Sequence, residues 1–176
     1  LVSNNFEKDS LESRYIYEVN NNILFNMANK GMEIYADDGR LSFYIKDVCK
    51  EYITLITKCD GLLQECKGIN IPGSSFDEKI VNEKDKFFLD LCCKHKVDFI
   101  GISFVDNADY LKNIQEYIGE RHPRAIAKIE NASAIKNLSE ILKISFAIMI
   151  DRGDLSVETK TSSIGIFQKD ILFEAN

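Results

Sequence analysis

Ala125-Ile126-Ala127-Lys128-Ile129-Glu130-Asn131 is a short apolar run that ends in charge. About twenty residues later, Ala147-Ile148-Met149-Ile150-Asp151-Arg152-Gly153-Asp154 does the same. Buried parallel strands read this way when they deliver functional groups at their C-terminal ends. Strand side chains alternate between faces, so Lys128 and Glu130 project to one side. An ammonium and a carboxylate leave one strand end together, and Asp154 adds a second carboxylate from the next. That set suits a metal and phosphate site, while a surface salt bridge between strand-end charges accounts for the same spacing.

Around these two strands the pattern alternates helix and strand. Asn82 is placed to cap a helix running to about residue 96, with Glu83 and Asp85 in a first turn that favours negative charge. A strand is predicted over 97–104 and a helix over 107–117, with Gly119 as its stop. Ile135, Leu138, Ile141 and Leu142 share one face of a further helix, and a last helix spans 163–174. Strands alternating with helices imply right-handed crossovers and a parallel sheet. A full eightfold barrel takes roughly 250 residues, so this region supplies an arc of one.

Upstream the sequence is β-rich. Residues 15–19 are a strand candidate, and 20–22 and 26–31 are rich in turn residues. Residues 33–36 lead through Asp37-Asp38-Gly39-Arg40 into 41–45, a hairpin signal. Residues 51–57 add a third strand and 62–66 a fourth. The punctuated stretch from Lys67 through Pro72-Gly73-Ser74-Ser75 marks a boundary. The expected organisation is a β-rich module over 1–66, a loop over 67–82 and an α/β region over 83–176.

The 176 residues are 45% hydrophobic and 28% charged with a net charge of −6, a soluble globular composition without a nucleic-acid footprint. No apolar run reaches membrane-spanning length. The five cysteines include no C-x-x-C pair and no ligand spacing with His95 or His122, which points to a reducing compartment. With no initiator Met, the chain reads as a segment of something larger.

Read together, the motifs resemble pyruvate kinase. Asp37-Asp38-Gly39, Lys67-Gly68-Ile69-Asn70-Ile71-Pro72-Gly73, Asn82-Glu83-Lys84-Asp85, Val97-Asp98-Phe99-Ile100 with Ser103-Phe104, Ala127-Lys128-Ile129-Glu130-Asn131, and Arg152-Gly153-Asp154-Leu155 with Gln168-Lys169 follow that family's order. The resemblance implies an arc of a parallel (β/α)8 TIM-type barrel preceded by part of an antiparallel β-rich lid. It implies phosphoryl transfer from phosphoenolpyruvate to ADP, giving pyruvate and ATP in glycolysis, in a cytoplasmic homo-oligomer, a tetramer by the family's habit. An organellar form would carry its address elsewhere. Lys128 matches the family's lysine beside the transferring phosphoryl group. Glu130 and Asp154 match the carboxylates that hold Mg2+ or Mn2+. The N–H groups of Gly153 and Asp154 match those that receive the substrate carboxylate. Arg152 fits either substrate contact or an ion pair holding the loop. Potassium is implied too, with ligands outside this segment.

The sequence also departs from the family. The N-F-S-H-G, D-T-K-G-P and C-A-T-Q segments are not found, so one wall of a site is expected and the segment alone should be inactive. Asp151 stands where an alanine is usual, a third acid that repels an anionic substrate unless Lys128 or Arg152 pairs with it. Ser156 replaces a glycine, and Asp106 stands where arginine is usual. These changes leave room for a catalytically decayed homologue with an assembly or regulatory role. Another metal-dependent lyase of the phosphoenolpyruvate/pyruvate-barrel type is a further alternative, against which the hairpin and the K-G-I-N-I-P-G loop speak.

Overall fold

A computed structural model describes residues 1–3, 15–20, 23–73, 81–120, 122–159 and 161–175. The chain divides into two compact units, Leu1–Ser74 and Ser75–Asn176.

In the first unit, β1 (Val2–Ser3) pairs in parallel with β2 (Glu18–Val19). Helix α1 (Ile23–Met27) follows, then β3 (Glu33–Ala36), β4 (Leu41–Val48), β5 (Ile53–Thr57) and β6 (Ile69–Asn70), in the antiparallel order β5-β4-β3-β6. The β3–β4 hairpin forms where Asp37-Asp38-Gly39 predicts it. All three residues adopt positive φ, at 52°, 54° and 80°, a region that Asp and Gly tolerate best. Asp37 also receives Lys67 at 2.8 Å. Strand alternation buries Ile34 and Ile45 with Val19, Leu24, Phe25, Ala28, Ile53 and Ile71 in one core.

Three expectations for this unit are corrected. No strand forms over 62–66: Cys66 takes φ 59°, which interrupts extended backbone. The fourth strand is β6, which reaches β3 only after the Gly68 carbonyl accepts the Asp37 N–H at 3.2 Å. Residues 23–27 are helical, so the helix takes in Asn26 and Met27 of the 26–31 stretch expected to be turn-rich, and Leu24, Phe25 and Ala28 bury one side of that segment. The 15–19 candidate narrows to Glu18–Val19. Asn21 and Asn22 of the predicted turn lie outside the described residues.

The second unit alternates as expected: α2 (Glu83–Lys94), β7 (Phe99–Ile102), α3 (Ala108–Ile118), β8 (Arg124–Ile129), α4 (Ala132–Lys136), α5 (Leu138–Ile144), β9 (Ala147–Ile150), α6 (Arg152–Glu158), a 3-10 turn at Thr161–Ser163, and α7 (Ile164–Ala175). The strands form one parallel sheet in the order β7-β8-β9, with Ile102 beside Ala127 and Lys128 beside Met149. Asn82 caps α2 by accepting the Asp85 N–H at 2.9 Å, and Asn107 caps α3. Gly119 ends α3 at φ 65°.

Alternation along β8 sends Ala125, Ala127 and Ile129 into a core with Val105, Leu111, Ala134, Leu138, Ile141 and Ile171. The opposite face carries Phe99, Gly101, Ile126, Lys128 and Met149, which are half-buried or exposed. Helix α2 buries Leu89; Phe87, Phe88 and Leu91 remain exposed. The helix expected through Ile135 and Leu142 is two helices. Asn137 breaks it, its side chain donating to the Asp106 carbonyl at 2.8 Å. Helix α6 precedes the last helix. No helix among the described residues is long and apolar enough to cross a membrane. All five cysteines are free.

Candidate active site at the strand ends

The parallel register brings three strand exits to one edge: Ser103-Phe104 after β7, Glu130 after β8 and Asp151 after β9. This is the edge at which open α/β sheets and barrels hold ligands. Lys128 is the last residue on the open face of β8. A Cβ built on Gly101 would meet Lys128 Cδ at 3.6 Å, so the lysine stem lies across Gly101 and carries the ammonium to the edge.

Lys128 Nζ lies 2.5 Å from Glu130 Oε1, 3.2 Å from Asp151 Oδ2 and 3.2 Å from Ser103 Oγ. Glu130 is 1% exposed. Its Oε2 accepts the Phe104 N–H at 2.6 Å, and Phe104 adopts φ 52°, a costly conformation for an aromatic residue that persists only where its surroundings impose it. Oε1 meets the charge of Lys128 but accepts no hydrogen bond of good geometry. A buried carboxylate oxygen held by charge rather than by a directed donor keeps lone-pair capacity for a further cation.

Burial pulls the Lys128 pKa down, and the carboxylates of Glu130 and Asp151 outweigh it, holding the ammonium above its ordinary value. Burial pushes Asp151 up, yet the hydrogen bond and charge of Lys128, with the N–H groups of Asp154 and Gly153, keep it below the usual carboxylate range. Those N–H groups face the Asp151 side chain without closing a cap hydrogen bond of full geometry. Of the two partners open to Asp151 in sequence, it takes Lys128. Arg152 is exposed on the first turn of α6 and forms no ion pair among the described residues.

Oxygens of Glu130, Asp151 and Asp154 lie within 4.8 Å of one another. Three carboxylates with one buried oxygen lacking a donor form a hard-oxygen set suited to Mg2+ or Mn2+. The structure therefore gathers Lys128, Glu130, Asp151 and Asp154, with Gly153 beside them, and leaves Arg152 outward. Sequence reasoning missed the work of Gly101, Ser103 and the Phe104 N–H. Ser103-Phe104 stood out in sequence only as part of a motif carrying the family resemblance. The two remaining departures have local structural uses. Asp106 accepts from the Asn131 side chain, which in turn caps α4 by accepting the Ala134 N–H at 2.7 Å. Ser156 donates to the Gly153 carbonyl at 2.7 Å inside α6.

A family model described as "Pyruvate kinase, barrel domain" matches residues 2–176. The pyruvate kinase of Borreliella burgdorferi is 37% identical over 145 residues, covering 81% of this chain and 30% of its own length. That of Trypanoplasma borreli is 32% identical over 170 residues, covering 97% and 33%. Pyruvate kinase 1 of Saccharomyces cerevisiae is 34% identical over 149 residues, covering 83% and 30%. The chain spans about a third of the length of the curated relatives it matches. A match across nearly every residue, carrying a lysine, a buried glutamate and an aspartate at the exits of a parallel sheet, places this chain in the pyruvate kinase family.

Proposed function

We propose that the chain is part of a pyruvate kinase whose full-length form transfers the phosphoryl group of phosphoenolpyruvate to ADP. The observation that carries this is Lys128 beside a buried Glu130, within reach of Asp154, at the strand exits of a family member. On this reading the second unit is an arc of the (β/α)8 barrel, its open sheet face turned to the barrel interior. The first unit is the end of the lid, joined by the return loop over 67–82.

Lys128 places a compact positive charge where the phosphoryl oxygens and the forming enolate gather negative charge. Glu130 and Asp154 hold the divalent ion, Mg2+ or Mn2+, which when bound neutralises substrate oxygens as a Lewis acid. The Phe104 N–H fixes the Glu130 carboxylate. The Gly153 and Asp154 N–H groups favour an anionic substrate group at the start of α6. Arg152, which forms no ion pair among the described residues, is placed for outward contact with an anion. Potassium, homo-oligomeric assembly and a cytoplasmic setting come from the resemblance, and no residue of this cluster is assigned to them. A second reading, a non-catalytic homologue, is favoured by Asp151, whose carboxylate sits on Lys128 at 3.2 Å.

The test is a coupled assay of pyruvate and ATP formation by the full-length protein with Mg2+ and K+. Transfer is expected. Lys128→Met should lower kcat by about 10²–10³-fold while KM for phosphoenolpyruvate moves only several-fold, because the charge matters most in the transition state. A full-length protein without transfer activity overturns the catalytic reading in favour of the second.

A further inference from the structure

An ammonium has three N–H donors and no acceptor. Around Lys128 Nζ, oxygens of Glu130, Ser103 and Asp151 already stand at 2.5, 3.2 and 3.2 Å. Two carboxylates already balance its charge, so an anionic ligand must compete with them for Lys128. Glu130 is fixed: its side chain is fully buried and its second oxygen is held by the Phe104 N–H at 2.6 Å. Ser103 is neutral. Asp151 is the displaceable charge, with its side chain 27% exposed.

Asp151 also borders a second cation position. Its carboxylate lies with those of Glu130 and Asp154 inside 4.8 Å, and oxygens on opposite sides of one magnesium-sized ion stand roughly 4.2 Å apart. Independently of that clustering, Glu130 Oε1 is buried in the same space without a hydrogen-bond donor. A carboxylate that balances a lysine and also reaches an ion site divides its charge between the two cations.

We propose that Asp151 is a third carboxylate arm for the divalent ion and, without that ion, the internal anion that occupies Lys128. A bound ion shares the carboxylate charge and so weakens its hold on Lys128, which makes Asp151 a link between ion binding and the availability of Lys128 to an anionic substrate. The inference rests on the reading of Glu130 and Asp154 as ion ligands.

The experiment uses the full-length protein stripped of metal by chelation, with Mn2+ binding followed by calorimetry and by the electron paramagnetic resonance of free Mn2+. Phosphoenolpyruvate binding is measured separately without metal. Asp151→Asn, near in shape and neutral, should weaken Mn2+ about tenfold and tighten metal-free phosphoenolpyruvate several-fold. Asp151→Ala should repeat both shifts, and Glu130→Gln should weaken Mn2+ at least as much. Unchanged Mn2+ affinity in both Asp151 variants, with loss in Glu130→Gln, overturns the inference and leaves the ion assignment standing. Unchanged affinity in Glu130→Gln as well overturns both. Weaker Mn2+ binding with unaltered metal-free phosphoenolpyruvate binding removes the hold of Asp151 on Lys128.

Discussion

Lys128 depends on a residue without a side chain. Its stem lies over Gly101, where a methyl group would sit 3.6 Å from Cδ, an ordinary van der Waals distance. Gly101→Ala should therefore leave turnover of the full-length protein within about twofold. Gly101→Leu adds atoms where the stem lies and should cut turnover by about tenfold or more, because small displacements of a reacting group are expensive. The pair is compared by steady-state kinetics at matched thermal stability, and equal effects in both variants would remove Gly101 from this role. The charged members of the site were legible in sequence because alternation and strand exits fix them locally. Gly101, Ser103 and Phe104 were not, since each acts across strands on a residue about twenty-five positions away. Only the register supplies that information.

Elements were legible where one residue decides them, as at the Asn82 and Asn107 caps. They were illegible where a distant partner decides, as where Asn137 breaks a helix to reach Asp106. Asn131 and Asp106 offer a test. The Asn131 side chain caps α4 and donates to Asp106 Oδ1. Asn131→Ala should cost about 1–2 kcal/mol in urea unfolding. Asp106→Ala, which leaves a buried amide donor unsatisfied, should cost about 1–3 kcal/mol. Because one hydrogen bond is shared, the double variant should lose less than the sum, and strict additivity would separate the two residues.

The β3–β4 turn gives a pH prediction at the same scale. Lys67, ahead of the opposing effect of burial, holds Asp37 below its ordinary pKa of 3.8. A depressed carboxylate contributes stability above 3.8 and loses it as pH falls through the lower folded value. The stability gap between the parent protein and Asp37→Asn should be constant from neutral pH to about pH 5 and should close in the acidic range below 3.8. Urea midpoints across pH measure it, and a gap that persists at the acid limit would assign the turn to backbone conformation alone.

At the scale of the molecule, the α/β class follows from the alternating pattern, but the consequence of holding three parallel strands follows from the sheet. In the second unit β7 and β9 each pair only with β8 among the described residues. Helices cover one sheet face, while Phe99 and Met149 on the other are 47% and 50% exposed. Open edges and apolar sheet faces invite pairing with further chains. Produced alone, the 176 residues should associate increasingly with concentration, as light scattering on a sizing column would detect, and should bind a hydrophobic dye. The same preparation should form no ATP from phosphoenolpyruvate and ADP, because Lys128, Glu130 and Asp154 line one side of the reacting groups and position nothing opposite. A dye-negative monomer would mean that this unit satisfies its own edges. ATP formation would mean that one wall of the site suffices for transfer, contrary to the dependence of such chemistry on groups converging from several strands.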